Sequence, residues 1–451
     1  MRKLLLLFGL MLCFMLIGAN LLAQWSTINS PEKIVQCYGT NSDTKLFFAG
    51  GLTLTGFSSE VRIYDIPTDD WSSISLNVPR AKIAAVVHND LLFCAGGINF
   101  DNRQESSEIE IYNATTGASV TIATLSVARV ELSAVAVGDQ VLFAGGIAAD
   151  DTGINEVFST VDIYDINTQT WTQAELSEAR GGMAHAVLGD KVYFAGGYKG
   201  NGQVSNVVDV YDASTGTWTT DVISVGRAFY GGGIAFNDKV YFAGGLLANE
   251  TTTALIDVYD PSTDTWTTQQ LSQARFGVQA GKTDNYLLFS GGGETGLLSD
   301  WAYTSFSTRV DLYNKETDDW DIFNMGLDRV NHAALSADNQ VFIAGDIDGS
   351  TSFSVIDIFT EEEISNTFQS FPSDAVQLNP NPTNGLLNLQ TFGIQATDLQ
   401  VEIVDVRGRI LLSQTLNSSY KELDVKAFAK GLYYLKVRSA DKVAVRQFVK
   451  I

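Results

Sequence analysis

With 451 residues, 45% of them apolar, the chain is long enough for two domains and can bury a sizeable core. Its formal charge of −23 is concentrated as −28 over residues 24–371, against +3 in 372–451 and +2 at Arg2 and Lys3. So acidic a surface repels phosphate backbones and anionic membranes, which argues against nucleic acid as a partner and fits solubility outside the cell.

The first element is a leader. Arg2 and Lys3 precede an apolar run from Leu4 to Ile17, and small residues lead to Ala23 before Gln24. This pattern predicts a secretory signal over 1–23, cut near Ala23. The run is too short, and lacks the flank, for a transmembrane anchor. Leu12 and Phe14 around Cys13 do not suit lipid attachment. Cys37 and Cys94 remain after processing and read as two separate buried thiols.

From residue 24 onward the chain repeats. An aromatic-Ala-Gly-Gly element recurs with first glycines Gly50, Gly96, Gly145, Gly196, Gly244, Gly291 and Gly345, at intervals of 46, 49, 51, 48, 47 and 54 residues. A strand ending in an aromatic follows each one: VRIYD, IEIYN, VDIYD, VDVYD, IDVYD, VDLYN and VIDIF. Trp71, Trp171, Trp218, Trp266 and Trp320 stand seven residues past that aromatic. The pattern resembles the kelch repeat, whose units each build one four-stranded blade. The resemblance implies an all-β fold over 24–365, a seven-bladed kelch-type β-propeller.

Small-residue segments before the glycine pairs (IAAVV, SAVAV, MAHAV, GGGIAF, HAAL) are expected as the innermost strands, crowded at the axis. The Tyr and Trp are expected to pack between blades, and the Asp after the Tyr to open a turn. Trp25 lies 25 residues before Gly50, as the other Trp residues lie 25 or 26 before theirs, while the last blade has Asn366 in the Trp slot. The segment around Trp25 is therefore expected to complete the seventh blade and close the ring. In the second blade Val120 is expected to stand in the Trp slot.

Residues 366–376 read as a linker and 377–451 as a small Ig-like β-sandwich built from alternating strands. Asn379-Pro380-Asn381-Pro382 with Gly385, Asp405 with Gly408-Arg409, and Lys430-Gly431 resemble the C-terminal sorting domain of the type IX (Por) secretion system. That resemblance implies a Gram-negative host, export to the cell surface or medium by the type IX machinery, and removal of the tail in the linker.

Candidate chemistry is sparse. His88, His185 and His332 fall at different heights in different blades, and no zinc-peptidase, nucleophile-elbow or paired-Cys motif is present. Galactose oxidase, a kelch-type enzyme, needs copper, two His ligands and a Tyr–Cys cross-link, for which the positions here are unsuited. The Asp-rich stretches at 148–155 and 345–350 read as ordinary turns rather than calcium loops. No metal or cofactor is expected.

The most suggestive set is a ring of arginines. Arg80, Arg129, Arg180, Arg275 and Arg329 each stand 16 residues before a motif glycine, and Arg227 stands 17 before. They are expected on the face that carries the variable loops, either gripping a ligand or paired locally as framework. The longest loop, 293–309, adds Trp301, Tyr303 and Phe306 as candidate ligand contacts. Two readings follow: a non-catalytic binding or adhesion module for an extracellular protein or glycan, and a carbohydrate-active enzyme of epimerase or mutarotase type, with His185 or Glu131 available.

Overall fold

The structure is a computed structural model that describes residues 24–31, 37–53, 56–99, 104–150, 153–296, 303–345, 354–361, 369–370, 376–392, 399–405, 410–416, 418–438 and 442–451. The expected leader lies outside these residues. Among the described residues every regular element is a strand, and no helix is long and apolar enough to cross a membrane.

Seven antiparallel sheets follow one another along the chain, six of four strands and the sixth of five. Their innermost strands are Tyr38–Asn41, Ala84–His88, Ser133–Val137, Ala184–Leu188, Gly233–Phe236, Gln279–Lys282 and Ala333–Ala337. Each of these touches the next, and the last touches the first, so the ring closes. Small side chains make this possible: a Cβ on Gly39 would collide with Ala333, and one on Gly281 with Val341. The expected identity of the small-residue segments as the axial strands holds.

Closure is made by the N-terminal strand. Gln24–Asn29 pairs antiparallel with Val355–Thr360, which places Trp25 opposite Phe359 with ring centroids 5.5 Å apart. The same position in other blades holds the Tyr–Trp pairs. Tyr164 faces Trp171 at 4.9 Å and Tyr211 faces Trp218 at 4.8 Å. These rings pack into the neighbouring blade: Tyr64 and Trp71 join Phe342, Ala344 and Ile358 of the seventh sheet in one apolar cluster.

The second blade departs from expectation. A bulge between Ile111 and Tyr112 shifts the register, so Ser119 is the partner of Tyr112 and Val120 is 53% exposed. Counting from the glycine lands one residue late. The Trp slot is held by Ser119, and Tyr112 compensates by donating its hydroxyl hydrogen bond toward Glu110 or the carbonyl of Ser75.

The presumed loop 293–309 is also different. Gly293–Gly296 pairs with the start of a long strand, Tyr303–Asn314, so its described parts form a hairpin continuous with the blade.

The tail comprises a five-stranded and a three-stranded sheet that share one core, including Leu387, Leu389, Val401, Ile403, Leu435 and Phe448. Part of the presumed linker belongs to it: Gln369–Ser370 pairs parallel with Lys442 and Val443, and Val376 opens a strand. Backbone pairing competes successfully with the polar character that made this stretch read as a connector.

Candidate functional site

The arginine positions are structural. All six side chains, Arg80, Arg129, Arg180, Arg227, Arg275 and Arg329, are 0% exposed. Each guanidinium reaches a carboxylate on the third strand of its own blade: Glu110, Asp162, Asp209, Asp257, Asp311 and Asp357 respectively. Carbonyls at the end of the second strand accept further bonds, for instance Gly96 from Arg80 at 2.9 Å and Gly345 from Arg329 at 2.7 Å. The backbone carbonyl of each arginine then accepts the second glycine N–H of the preceding blade, as Arg180 does from Gly146 at 2.9 Å. At Gly145, φ is +60° and a Cβ would strike that same carbonyl, so only glycine fits this junction. The arginines therefore clasp blade to blade. Of the two expected roles, gripping a ligand or pairing locally as framework, full burial and the carboxylate partners favour the framework.

What does face the axis lies two residues further on. Lys82, Glu131, Gly182, Gly277 and Asn331 follow their arginines by two positions, and Tyr230 follows Arg227 by three. All six have left-handed backbone, with φ between +50° and +62°. The extra residue in the Arg227 segment explains why that arginine stands one position further from its glycine. Glycine or asparagine takes this conformation readily, whereas Lys, Glu and Tyr pay a steric penalty for it. Unfavourable backbone at a concave surface points toward function.

Five of these positions, Lys82, Glu131, Gly182, Tyr230 and Asn331, line one axial cup of about 320 Å³. Tyr38, Gln279, His185, His332 and Ser133 add to its polar lining. The residues just before the left-handed ones bridge to the chain after the glycine pairs (Ala81 to Ile98, Val130 to Ile147, Gly181 to Tyr198), so the cup opens on the hairpin face. A second cavity of about 430 Å³ continues down the axis and shares Tyr38, Gly39, His185, Gly233 and Leu335 with the cup. His185 thus sits at the waist between them.

The wall is built with care for space. A side chain on Gly182 would collide with the Tyr230 ring, so the absence of one there lets that ring lie across the neighbouring blade. Gln279 donates from Nε2 to the Tyr230 carbonyl at 3.0 Å and fixes the segment. Lys82 and Glu131, on adjacent blades, form an ion pair at 3.4 Å, both partly exposed. Burial pushes the Tyr38 phenol up to about 12, with the Glu131 charge adding to the effect.

Both axial histidines are neutral in the physiological range. Desolvation lowers His185 to about 4. Desolvation, then the charges of Arg329 and Arg275, lowers His332 to about 3. His332 Nε2 lies 2.9 Å from Ser290 Oγ, while its buried Nδ1 has no hydrogen-bond partner.

The remaining candidates separate. Trp301 lies outside the described residues, as does the side chain of Tyr303; Phe306 is half-buried opposite Gly293 in the hairpin register, not in the cup. His88 Nε2 bonds the Gly138 carbonyl at 2.6 Å between blades. In the tail, Asn379, Pro380, Asn381 and Pro382 form an exposed turn beside Gly385, while Lys430 immediately precedes the strand that Gly431 begins. Asp405 ends a strand opposite Tyr433, and Gly408 and Arg409 lie outside the described residues. Among the described residues no group of three His, Cys, Asp or Glu could hold a metal ion.

Lys82, Tyr230, Gln279 and Asn331 were not singled out by sequence. The available signal was the position after each arginine, where four of six blades carry something other than glycine.

Seven sheets closed by the N-terminal strand, followed by further β-sheets at the C-terminal end, define a β-propeller protein with a C-terminal β tail. The profile of the Attractin/LZTR1 beta-propeller family matches residues 92–356, and the chain belongs to that family. Residues 377–451 match the secretion system C-terminal sorting domain, which directs export through the type IX machinery.

Among curated proteins it is 28% identical over 171 residues to Kelch-like protein terF of Aspergillus terreus, covering 34% of this chain and 36% of that one. It is 28% identical over 160 residues to Kelch-like protein 34 of Homo sapiens, covering 32% of this chain and 24% of that one. The matched stretches thus span about a third and a quarter of those relatives. A solved structure described as "Structure of YjhT" is similar in fold, with TM-score 0.51 and 18% identity, over 66% of this chain and 99% of that one.

Proposed function

We propose that this secreted kelch-type propeller is a non-catalytic binding module whose ligand, an extracellular protein or glycan, is held in the axial cup. One observation carries the reading: Lys82, Glu131, Tyr230 and Asn331 are kept in left-handed backbone around a single cavity. A framework needing only the turn would place glycine there, as it does at Gly182 and Gly277. The cup's volume suits a small ligand or the end of a larger one.

The test is a glycan and peptide array probed with the full exported chain, run beside a sugar-turnover assay. Saturable binding without turnover, lost in Tyr230→Ala, is the expected result. The second reading, a carbohydrate-active enzyme, is favoured by the presence of Glu131 and His185 in the same cup. Turnover abolished by Glu131→Gln or His185→Gln would establish it instead.

The sorting tail supports a surface-displayed or released mature form, with the signal peptide removed at the start and the tail removed before residue 377. Mass spectrometry of the extracellular protein tests this. An intact Ile451 on mature extracellular protein would rule out tail removal.

A further inference from the structure

We infer that the cup receives, end-on, the terminal residue of a neutral glycan, with Lys82 and Glu131 together holding two adjacent ring hydroxyls and Tyr230 lying against the sugar. This deepens the binding reading above and rests on it.

The chemistry of the pair selects the ligand. Lys82 offers only donors and Glu131 only acceptors, and the two are held side by side by a 3.4 Å ion pair. Adjacent hydroxyls can accept from the ammonium with one oxygen and donate to the carboxylate from the other. No single charged group offers both functions at once.

Charge balance selects against ionic ligands. Lys82 is matched by Glu131, and the six ring arginines are matched by their own carboxylates. An acidic sugar would have to desolvate its carboxylate within a propeller region of net charge −28. An amino sugar would compete with Lys82 for Glu131. A polyol exchanges water for equivalent hydrogen bonds without adding charge.

Shape selects the end of a chain. The cup is recessed along the axis, and small residues such as Gly39, Ala184 and Gly233 are part of its lining. A flat protein surface cannot enter such a recess, whereas a terminal sugar ring can, and aromatic faces such as that of Tyr230 suit its C–H side.

Calorimetric titration of the full exported chain tests the inference. The probes are the methyl glycosides of glucose, mannose and galactose, their singly deoxygenated counterparts, glucuronic acid and glucosamine. At least one neutral glycoside is expected to bind. Its affinity should drop tenfold or more on removal of one of two adjacent hydroxyls, and equally in Lys82→Met and Glu131→Gln. Both variants should retain the wild-type unfolding temperature within a few degrees, which separates lost contacts from lost fold. Tighter binding of glucuronic acid or glucosamine, still abolished by Tyr230→Ala, would overturn the neutral-sugar inference and leave the cup as the binding site. Binding of the neutral glycosides that is insensitive to Tyr230→Ala, Lys82→Met and Glu131→Gln, or no binding by any probe, overturns the inference; array ligands that likewise ignore Tyr230→Ala overturn the cup itself.

Discussion

Nη2 of Arg129 donates to Oδ2 of Asp162 at 2.8 Å, and the same carboxylate also accepts the backbone N–H of Ser126. Both side chains are buried, so each charge depends on the other. Removing one partner leaves an uncompensated charge, whereas removing both exchanges an ion pair for apolar contact. Arg129→Met is therefore expected to destabilise the propeller by about 3–5 kcal/mol, and Arg129→Met with Asp162→Leu by clearly less. Urea unfolding of the two variants, with ligand binding measured below the transition, checks this. Equal losses in both would show that the pair itself supplies net stability.

The ring of arginines was legible in the sequence, but its role was not, because spacing reveals periodicity and says nothing of burial. The partner was equally visible. Glu110, Asp162, Asp209, Asp257, Asp311 and Asp357 each stand two residues before the blade's aromatic. The first blade has Arg62 in that place and Ile34 where the arginine would stand, so acid and arginine are lost together. That joint loss was the clue to pairing. The closing strand was legible because Trp25 repeats a spacing that only packing against Phe359 explains. The cup was not, since a left-handed φ can be occupied by Lys, Glu, Tyr, Asn or Gly and leaves no shared residue type. The Trp slot of the second blade was misplaced by one because a bulge has no compositional mark.

Glu131 sits at φ +56°, where a glycine would relieve steric strain. Its ion pair with Lys82 is partly exposed and contributes little to stability. Glu131→Gly is expected to leave stability unchanged or raise it by up to about 1 kcal/mol while binding falls tenfold or more. Thermal unfolding and calorimetric titration of one preparation decide it. A markedly less stable variant would mean that Glu131 is framework rather than function.

Trp25 packs edge-on against Phe359 in the strand pair that joins the two ends of the ring. Truncating it removes a large apolar plate from the closure alone, because every other blade is continuous in sequence. Trp25→Ala is expected to cost about 3–5 kcal/mol, with the loss localised. Amide exchange in Val355–Thr360 should quicken far more than in Thr160–Asp165. Uniform acceleration in both strands would mean that the ring unfolds as one unit.

The axial histidines set an acid limit on stability. His185 and His332 have pKa values of about 4 and about 3 in the fold, below the ordinary 6.5. Between these values and 6.5 the unfolded chain binds more protons than the folded one, so stability rises with pH over that interval. It falls as pH drops from about 6.5 toward 3, where the folded form must at last accept the protons. The unfolding temperature is expected to decline across this window. The decline should be shallower in His332→Gln, which has no imidazole to charge. An unchanged slope in that variant would assign the acid limit to other groups.

The final strand of the tail is held by the motif that begins it. Asn381 Oδ1 accepts the Val449 N–H at 3.0 Å, the Val449 carbonyl accepts the Thr383 N–H at 2.8 Å, and the Thr383 carbonyl accepts the Ile451 N–H at 2.9 Å. The chain's last residues are thus ordered by side chains and backbone some 70 positions upstream, giving the Asn-Pro-Asn-Pro element a task within the fold. Asn381→Ala removes one of three bonds and is expected to cost about 1 kcal/mol. The effect should be confined to the terminus, with faster amide exchange at Val449 and Ile451 and unchanged exchange at Leu435. If export requires an ordered terminus, deletion of 449–451 should reduce secretion at least as far as Asn381→Ala does. Full secretion of the deleted chain would show that the machinery reads another face of the domain.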